Sequence, residues 1–84
     1  MSAVKKRSVS INGHRTSYSI EDEFQAALEG IAKLRHLPLA RLIAEIDSVP
    51  RQQGGLSSAI RVFVLNDALN PKPKAEPAAH LLIL

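Results

Sequence analysis

Asn12-Gly13 stands between two runs that alternate apolar and polar residues, Arg7–Ile11 and His14–Ile20. Both central residues of a type I′ turn need positive φ, which Asn and Gly tolerate best, so the pair predicts a β-hairpin closed by a two-residue turn. The register follows, with Ile11 opposite His14, Val9 opposite Thr16 and Arg7 opposite Tyr18. Because side chains alternate across a strand, one face carries Val9, Ile11, Thr16, Tyr18 and Ile20. The other carries Lys6, Ser8, Ser10, Arg15, Ser17 and Ser19. The two faces separate cleanly into apolar and polar.

Helical spacing takes over after the hairpin. Ser19 is the expected N-cap, and Glu21, Asp22 and Glu23 fill a first turn where the helix dipole favours acids. Phe24, Leu28, Ile31 and Leu34 then recur at helical spacing to about Arg35. Pro38 ends this helix by driving Leu37 out of the α region. It also suits the first position of a second helix, Leu39–Asp47, with Leu39, Leu42, Ile43 and Ile46 on one stripe. Ser48–Gly55 reads as a polar connector. Ser57 or Ser58 is placed to cap a third helix over Ala59–Leu69. Its Ile60–Leu65 stretch is apolar nearly all round and predicts burial; a strand can also be drawn through it, but length and the serine cap favour helix. Met1–Lys6 is expected to be a loose basic arm. Asn70–Ala79 is expected to be a Pro/Lys linker leading to the apolar tail His80–Leu84. The expectation is therefore an α+β domain over residues 7–69, with an arm at 1–6 and a tail at 70–84.

Size argues for self-association. An 84-residue chain with three aromatic residues buries modest apolar area against roughly 1–2 kcal/mol of backbone entropy per ordered residue. It has no cysteine, so neither a disulfide nor a thiolate metal site staples it. A homodimer is expected. The net charge of +3 is compatible with nucleic acid without requiring it. No apolar run approaches the roughly 18 residues of a membrane span, and the N-terminal stretch lacks the apolar segment of a signal peptide, so a cytoplasmic location is expected.

Catalytic readings fare poorly. His14, His36 and His80 fall in a turn, a helix connection and the tail, without metal-ligand spacing. Successive Glu21, Asp22 and Glu23 point in different directions on a helix, whereas a general acid and base must converge on one substrate. No nucleophile turn or phosphate loop is present. No enzyme, metal or cofactor is expected. The polar strand face is the better candidate: a two-stranded ribbon fits the DNA major groove, where Arg forks onto guanine and Ser serves either base. Arg15, Ser17 and Ser19 form one such row. On periodicity alone the same row is also simply the wet face of an antiparallel sheet.

The order of parts shifts the balance toward the first. "RTSYSIEDEFQAALEGIAKLRHLPLARLI", Arg15–Ile43, resembles the ribbon-helix-helix family of Arc, MetJ and CopG-type repressors, without a gap from strand through both helices. The chain is similar in particular to small bacterial members sharing an "RSVxIxGHRTSxSxEDxF" start, an "LIAEID" second helix and an "LSSAIRVFVL" third segment. The matching stretches here are Arg7–Phe24, Leu42–Asp47 and Leu56–Leu65. The resemblance implies an obligate homodimer in which each protomer gives one strand to an intermolecular ribbon. Arg15, Ser17 and Ser19 match the base-reading positions. Tyr18, Ile20, Phe24, Leu28, Ile31, Leu42 and Ile43 match inward and dimer-core positions, to which Phe63 is added. The pattern departs from the family's usual turn residues, glycine and serine, at His36 and Pro38.

Two functions follow as expectations. In the first, the protein is a homodimeric transcriptional regulator that binds double-stranded DNA, with Arg15, Ser17 and Ser19 on bases and Lys5, Lys6 and Arg7 on phosphates. In the second, the extra first strand obstructs the groove. The same dimer is then a protein-interaction or antitoxin-like module whose HLLIL tail or sheet edge recruits a partner chain.

Overall fold

The computed structural model describes residues 3–50 and 54–70. Its elements are β1 (Val4–Ile11), β2 (His14–Glu21), α1 (Asp22–Leu34), α2 (Leu39–Ser48) and α3 (Leu56–Leu69). The α+β order expected from the sequence is the one observed.

The hairpin forms as its turn chemistry dictates. Asn12 and Gly13 have φ of 51° and 81°, the positive pair a type I′ turn needs. Ile11 pairs with His14, Val9 with Thr16 and Arg7 with Tyr18, and the ladder continues through Lys6↔Ser19 to Val4↔Glu21. Val4–Lys6, expected to be a loose arm, are therefore strand. Their partners are Ser19–Glu21, which stay extended two residues beyond the expected N-cap. The cap of α1 is accordingly Glu21, without a side-chain hydrogen bond, and not Ser19.

The turn between α1 and α2 explains why the family's usual glycine position tolerates His36. Its φ is 57°, the left-handed conformation of a helix C′ residue. The His36 N–H donates to the Lys33 carbonyl (3.1 Å) and the Leu37 N–H to the Ala32 carbonyl (2.9 Å). This is the paired bonding of a Schellman motif, and half-buried Leu37 after it packs against the core. Pro38 stands at the cap of α2, one residue ahead of its expected place, and its carbonyl accepts from Arg41 and Leu42.

All three helices contribute to one core beneath the apolar face of the hairpin. Ile20, Leu28, Leu42, Ile43 and Ile60 are wholly buried, and Tyr18, Ile31, Ala32, Ile46 and Val64 nearly so. Val9, Ile11, Phe24, Leu39 and Phe63 pack around them. Two expectations of burial fail. Leu34 is exposed because α1 ends there. Helix α3 buries only the side bearing Ile60 and Val64; Val62, Leu65 and Leu69 face outward, since no further layer of the described residues covers them. Near them a groove of about 300 Å³ is lined by Ile46, Val49, Ala59, Val62 and Phe63. The Pro71–Ala79 part of the expected linker and the HLLIL tail lie outside the described residues.

Candidate nucleic-acid interface

The outward face of the hairpin carries Lys6, Ser8 and Ser10 from β1 and Arg15, Ser17 and Ser19 from β2. Cross-strand partners share this face, as Ser10 with Arg15, Ser8 with Ser17 and Lys6 with Ser19. All are exposed except Ser19, which is half-buried. Arg15 and Lys6 make no ion pair among the described residues. Each therefore presents an uncompensated charge on a surface otherwise lined with hydroxyls.

Lys5 and Arg7 stand elsewhere. Alternation turns them to the opposite face, where both reach Asp22 at the start of α1. The Lys5 Nζ–Asp22 Oδ2 distance is 3.0 Å and the Arg7 Nη2–Asp22 Oδ1 distance 2.7 Å. Arg7 also donates to the Ile20 carbonyl at 3.0 Å. Together they tie β1 to the strand–helix junction. The hydrogen bonds from Lys5 and Arg7 hold the Asp22 carboxyl below its ordinary pKa. A carboxylate with a depressed folded pKa stabilises the fold above its unfolded value, near 3.8, and loses that contribution as the pH falls through the folded value. Asp22→Asn is expected to melt earlier than the parent chain at pH 7. The two midpoints should converge in acid, once the carboxyl is protonated in both folded and unfolded chains, as thermal denaturation across that range will read.

Several side chains that shape this region carry no signal in the sequence pattern. Ser57, an expected helix cap, instead accepts the Ser19 N–H on its Oγ at 2.8 Å; α3 starts after Gly55 with no side-chain cap. Arg61 Nη2 donates to the Ser19 carbonyl at 3.3 Å, and its Nε to Glu21 Oε1 at 3.2 Å. The Arg61 guanidinium also lies 6.0 Å from the centre of the Phe24 ring. On the inner side, the Tyr18 hydroxyl donates to Gln25 Oε1 (2.8 Å) and Gln25 Nε2 to Glu29 Oε2 (2.7 Å). This satisfies a buried amide that helical spacing alone assigns to no role. Burial pushes the Tyr18 hydroxyl up from its ordinary pKa.

Of the residues matched to a dimer core, Tyr18, Ile20, Leu28, Ile31, Leu42 and Ile43 are buried within a single chain, while Phe24 and Phe63 are half-buried at its rim. Among the described residues no cluster of His, Cys, Asp or Glu forms a metal site, and no helix is long and apolar enough to cross a membrane.

A polar two-stranded ribbon leading directly into two helices is the arrangement that a family model describes. The ribbon-helix-helix domain model matches residues 4–68. The chain belongs to the ribbon-helix-helix domain family. No curated protein and no solved structure matches it significantly. Ribbon-helix-helix domains are non-enzymatic folds, typically of DNA-binding transcription regulators or antitoxins, and members generally act as homodimers. In this ribbon-helix-helix chain, the matched span takes in β1 and nearly all of α3 as well as the strand and helix pair between them.

Proposed function

We propose that this ribbon-helix-helix protein is a non-catalytic, homodimeric DNA-binding regulator of transcription, acting in the cytoplasm through the polar face of its hairpin. The observation that carries the proposal is the composition of that face. Arg15 and Lys6 are exposed and unpaired among the described residues, with Ser8, Ser10 and Ser17 exposed around them. Arg15 forks onto a guanine edge, Ser17 and Ser19 contact neighbouring bases, and Lys6 sits against phosphate. Lys5 and Arg7, whose charges are matched by Asp22, contribute less to phosphate binding than Lys6.

Selection from random duplexes with purified protein, at stated salt, tests the reading. An enriched site is expected; weak, sequence-blind, salt-labile binding sinks it. The charge assignment has its own check. Lys6→Ala should reduce the slope of log affinity against log salt by about one unit per protomer bound, whereas Lys5→Ala should change it less.

One observation favours a second reading. β1 is paired along its whole length, so a ribbon made by joining two β2 strands would be four strands wide. About 14 Å would separate its outer strand axes, against a groove about 12 Å across. On that reading the dimer binds a partner chain through a sheet edge or the tail at 80–84. Removal of residues 71–84 separates the two, since DNA binding survives it and tail-dependent capture of a partner does not.

A further inference from the structure

We infer that Ser57 and Arg61, on α3, are positioning residues for Ser19: discrimination at the base Ser19 contacts depends on them, through Ser19 and not by contacts of their own. Their role rests on the DNA-reading proposal for what Ser19 touches; their grip on Ser19 does not.

Ser19 differs from the rest of its row. Arg15 and Ser17 are exposed, whereas Ser19 is half-buried near the end of β2 that leads into α1. In an antiparallel ladder, residues whose main-chain groups bond the partner strand alternate with residues whose groups point away. The Ser19 N–H belongs to the second kind, so pairing with β1 does not hold it. Helix α3 holds it instead. The N–H donates to Ser57 Oγ at 2.8 Å, and the Ser19 carbonyl accepts from Arg61 Nη2 at 3.3 Å. Ser57 and Arg61 are four residues apart and so share one helix face, which meets both main-chain groups of a single strand residue. Fixing those two groups fixes the peptide planes on either side of Ser19, and with them the direction of its Cα–Cβ bond. The hydroxyl is left with one torsion, χ1, to choose.

Arg61 is itself held. Its Nε donates to Glu21 Oε1 at 3.2 Å, and the Arg61 and Glu21 side chains are 33% and 16% exposed. Its guanidinium lies 6.0 Å from the centre of the Phe24 ring. One side chain thus joins α3, the end of β2 and the first turn of α1. From the β1 side, Arg7 donates to the Ile20 carbonyl at 3.0 Å. Two consecutive carbonyls, those of Ser19 and Ile20, are therefore taken by guanidinium groups from opposite edges of the strand. A hydroxyl that reads a base must be held to within about 0.5 Å, and this brace supplies that constraint where the strand gives way to helix.

The test reads discrimination base by base. A duplex selected from random sequence is varied at each position, and affinities are compared by fluorescence anisotropy at fixed salt. The position at which Ser19→Ala loses preference is the base of Ser19. Ser57→Ala is expected to lose about 2- to 10-fold of the preference there, the range of one neutral hydrogen bond, and to keep the preference read by Arg15. In the Ser19→Ala background, Ser57→Ala should change nothing further, because the group it positions is gone. Ser57→Thr, which retains the hydroxyl, should restore the parent's pattern. Arg61→Lys keeps a charge for Glu21 but gives up the fork that also serves the Ser19 carbonyl, and should repeat the Ser57→Ala pattern. Additive losses, or losses spread evenly over all positions, would show that α3 acts through stability alone and would overturn the positioning role. A selected site at which Ser19→Ala changes nothing overturns it too, while DNA reading by Arg15 stands.

Amide exchange followed by NMR examines the grip without DNA. The Ser19 amide is expected to exchange about tenfold faster in Ser57→Ala than in the parent, with the Tyr18 and Ile20 amides unchanged. An unchanged Ser19 rate would place its N–H on another acceptor, such as a strand of a second copy, and would overturn the inference. If the exchange responds but no duplex is selected, the DNA-reading proposal fails and the positioning role falls with it.

Discussion

Arg15→Ala is expected to lose most of its preference for a selected duplex. A guanidinium that forks onto a guanine is worth about 1–3 kcal/mol of discrimination, roughly 5- to 150-fold in affinity. Arg15 is fully available for this role: it is exposed, it has no ion-pair partner among the described residues, and it stands on the turn-proximal part of the ribbon. The loss should fall mainly on the cognate site, with binding to unrelated duplex weakened less. That pattern separates base reading from general charge. Fluorescence anisotropy with selected and scrambled duplexes at fixed salt measures both. If the variant keeps its parent's affinity and preference, the hairpin face does not read bases.

The second large effect is on stability. Ile60 is wholly buried although it lies on α3, outside the strand-helix-helix stretch that carries the wider family resemblance. Ile60→Ala removes packed methyl groups from a closed core, at a cost of about 2–5 kcal/mol. For a domain of this size, where 1 kcal/mol corresponds to about 4–8 °C, the thermal midpoint should fall by roughly 10 °C or more. Val62→Ala, on the open side of the same helix at 52% exposure, should stay within about 0.5 kcal/mol of the parent. Equal, small effects for both would mean that α3 is an appendage and that the core does not close in cis. Circular-dichroism melts of the two variants decide the matter.

Much of this architecture is legible locally. Asn12-Gly13 determines the hairpin and its register because few residues tolerate two positive φ values in succession. The alternation around that turn then sorts Arg15, Ser17 and Ser8 onto the polar face. Pro38 keeps Leu37 out of the α region and so separates the two helices, for reasons confined to its own ring. Leu28, Ile31, Leu42 and Ile43 announce a core through helical spacing.

Other features are settled by contacts between residues far apart in the chain. Ser19 carries the composition of an N-cap, yet it is held in β2 by pairing with Lys6, by its N–H donating to Ser57 and by its carbonyl accepting from Arg61, 38 and 42 residues away. Lys5 and Arg7 read as basic residues free for phosphate, and only the approach of Asp22 matches their charge. Ile60–Leu65 is apolar on nearly every side, and which side faces the core depends on where α3 docks. Turn chemistry and periodicity act within a few residues, which is why the hairpin, the helices and the polar row can be read directly from the chain. Edge closure and burial depend instead on which distant surfaces meet. The docking of α3 is what takes up the main-chain groups of Ser19 and buries Ile60 and Val64 in the core, and no local pattern encodes it.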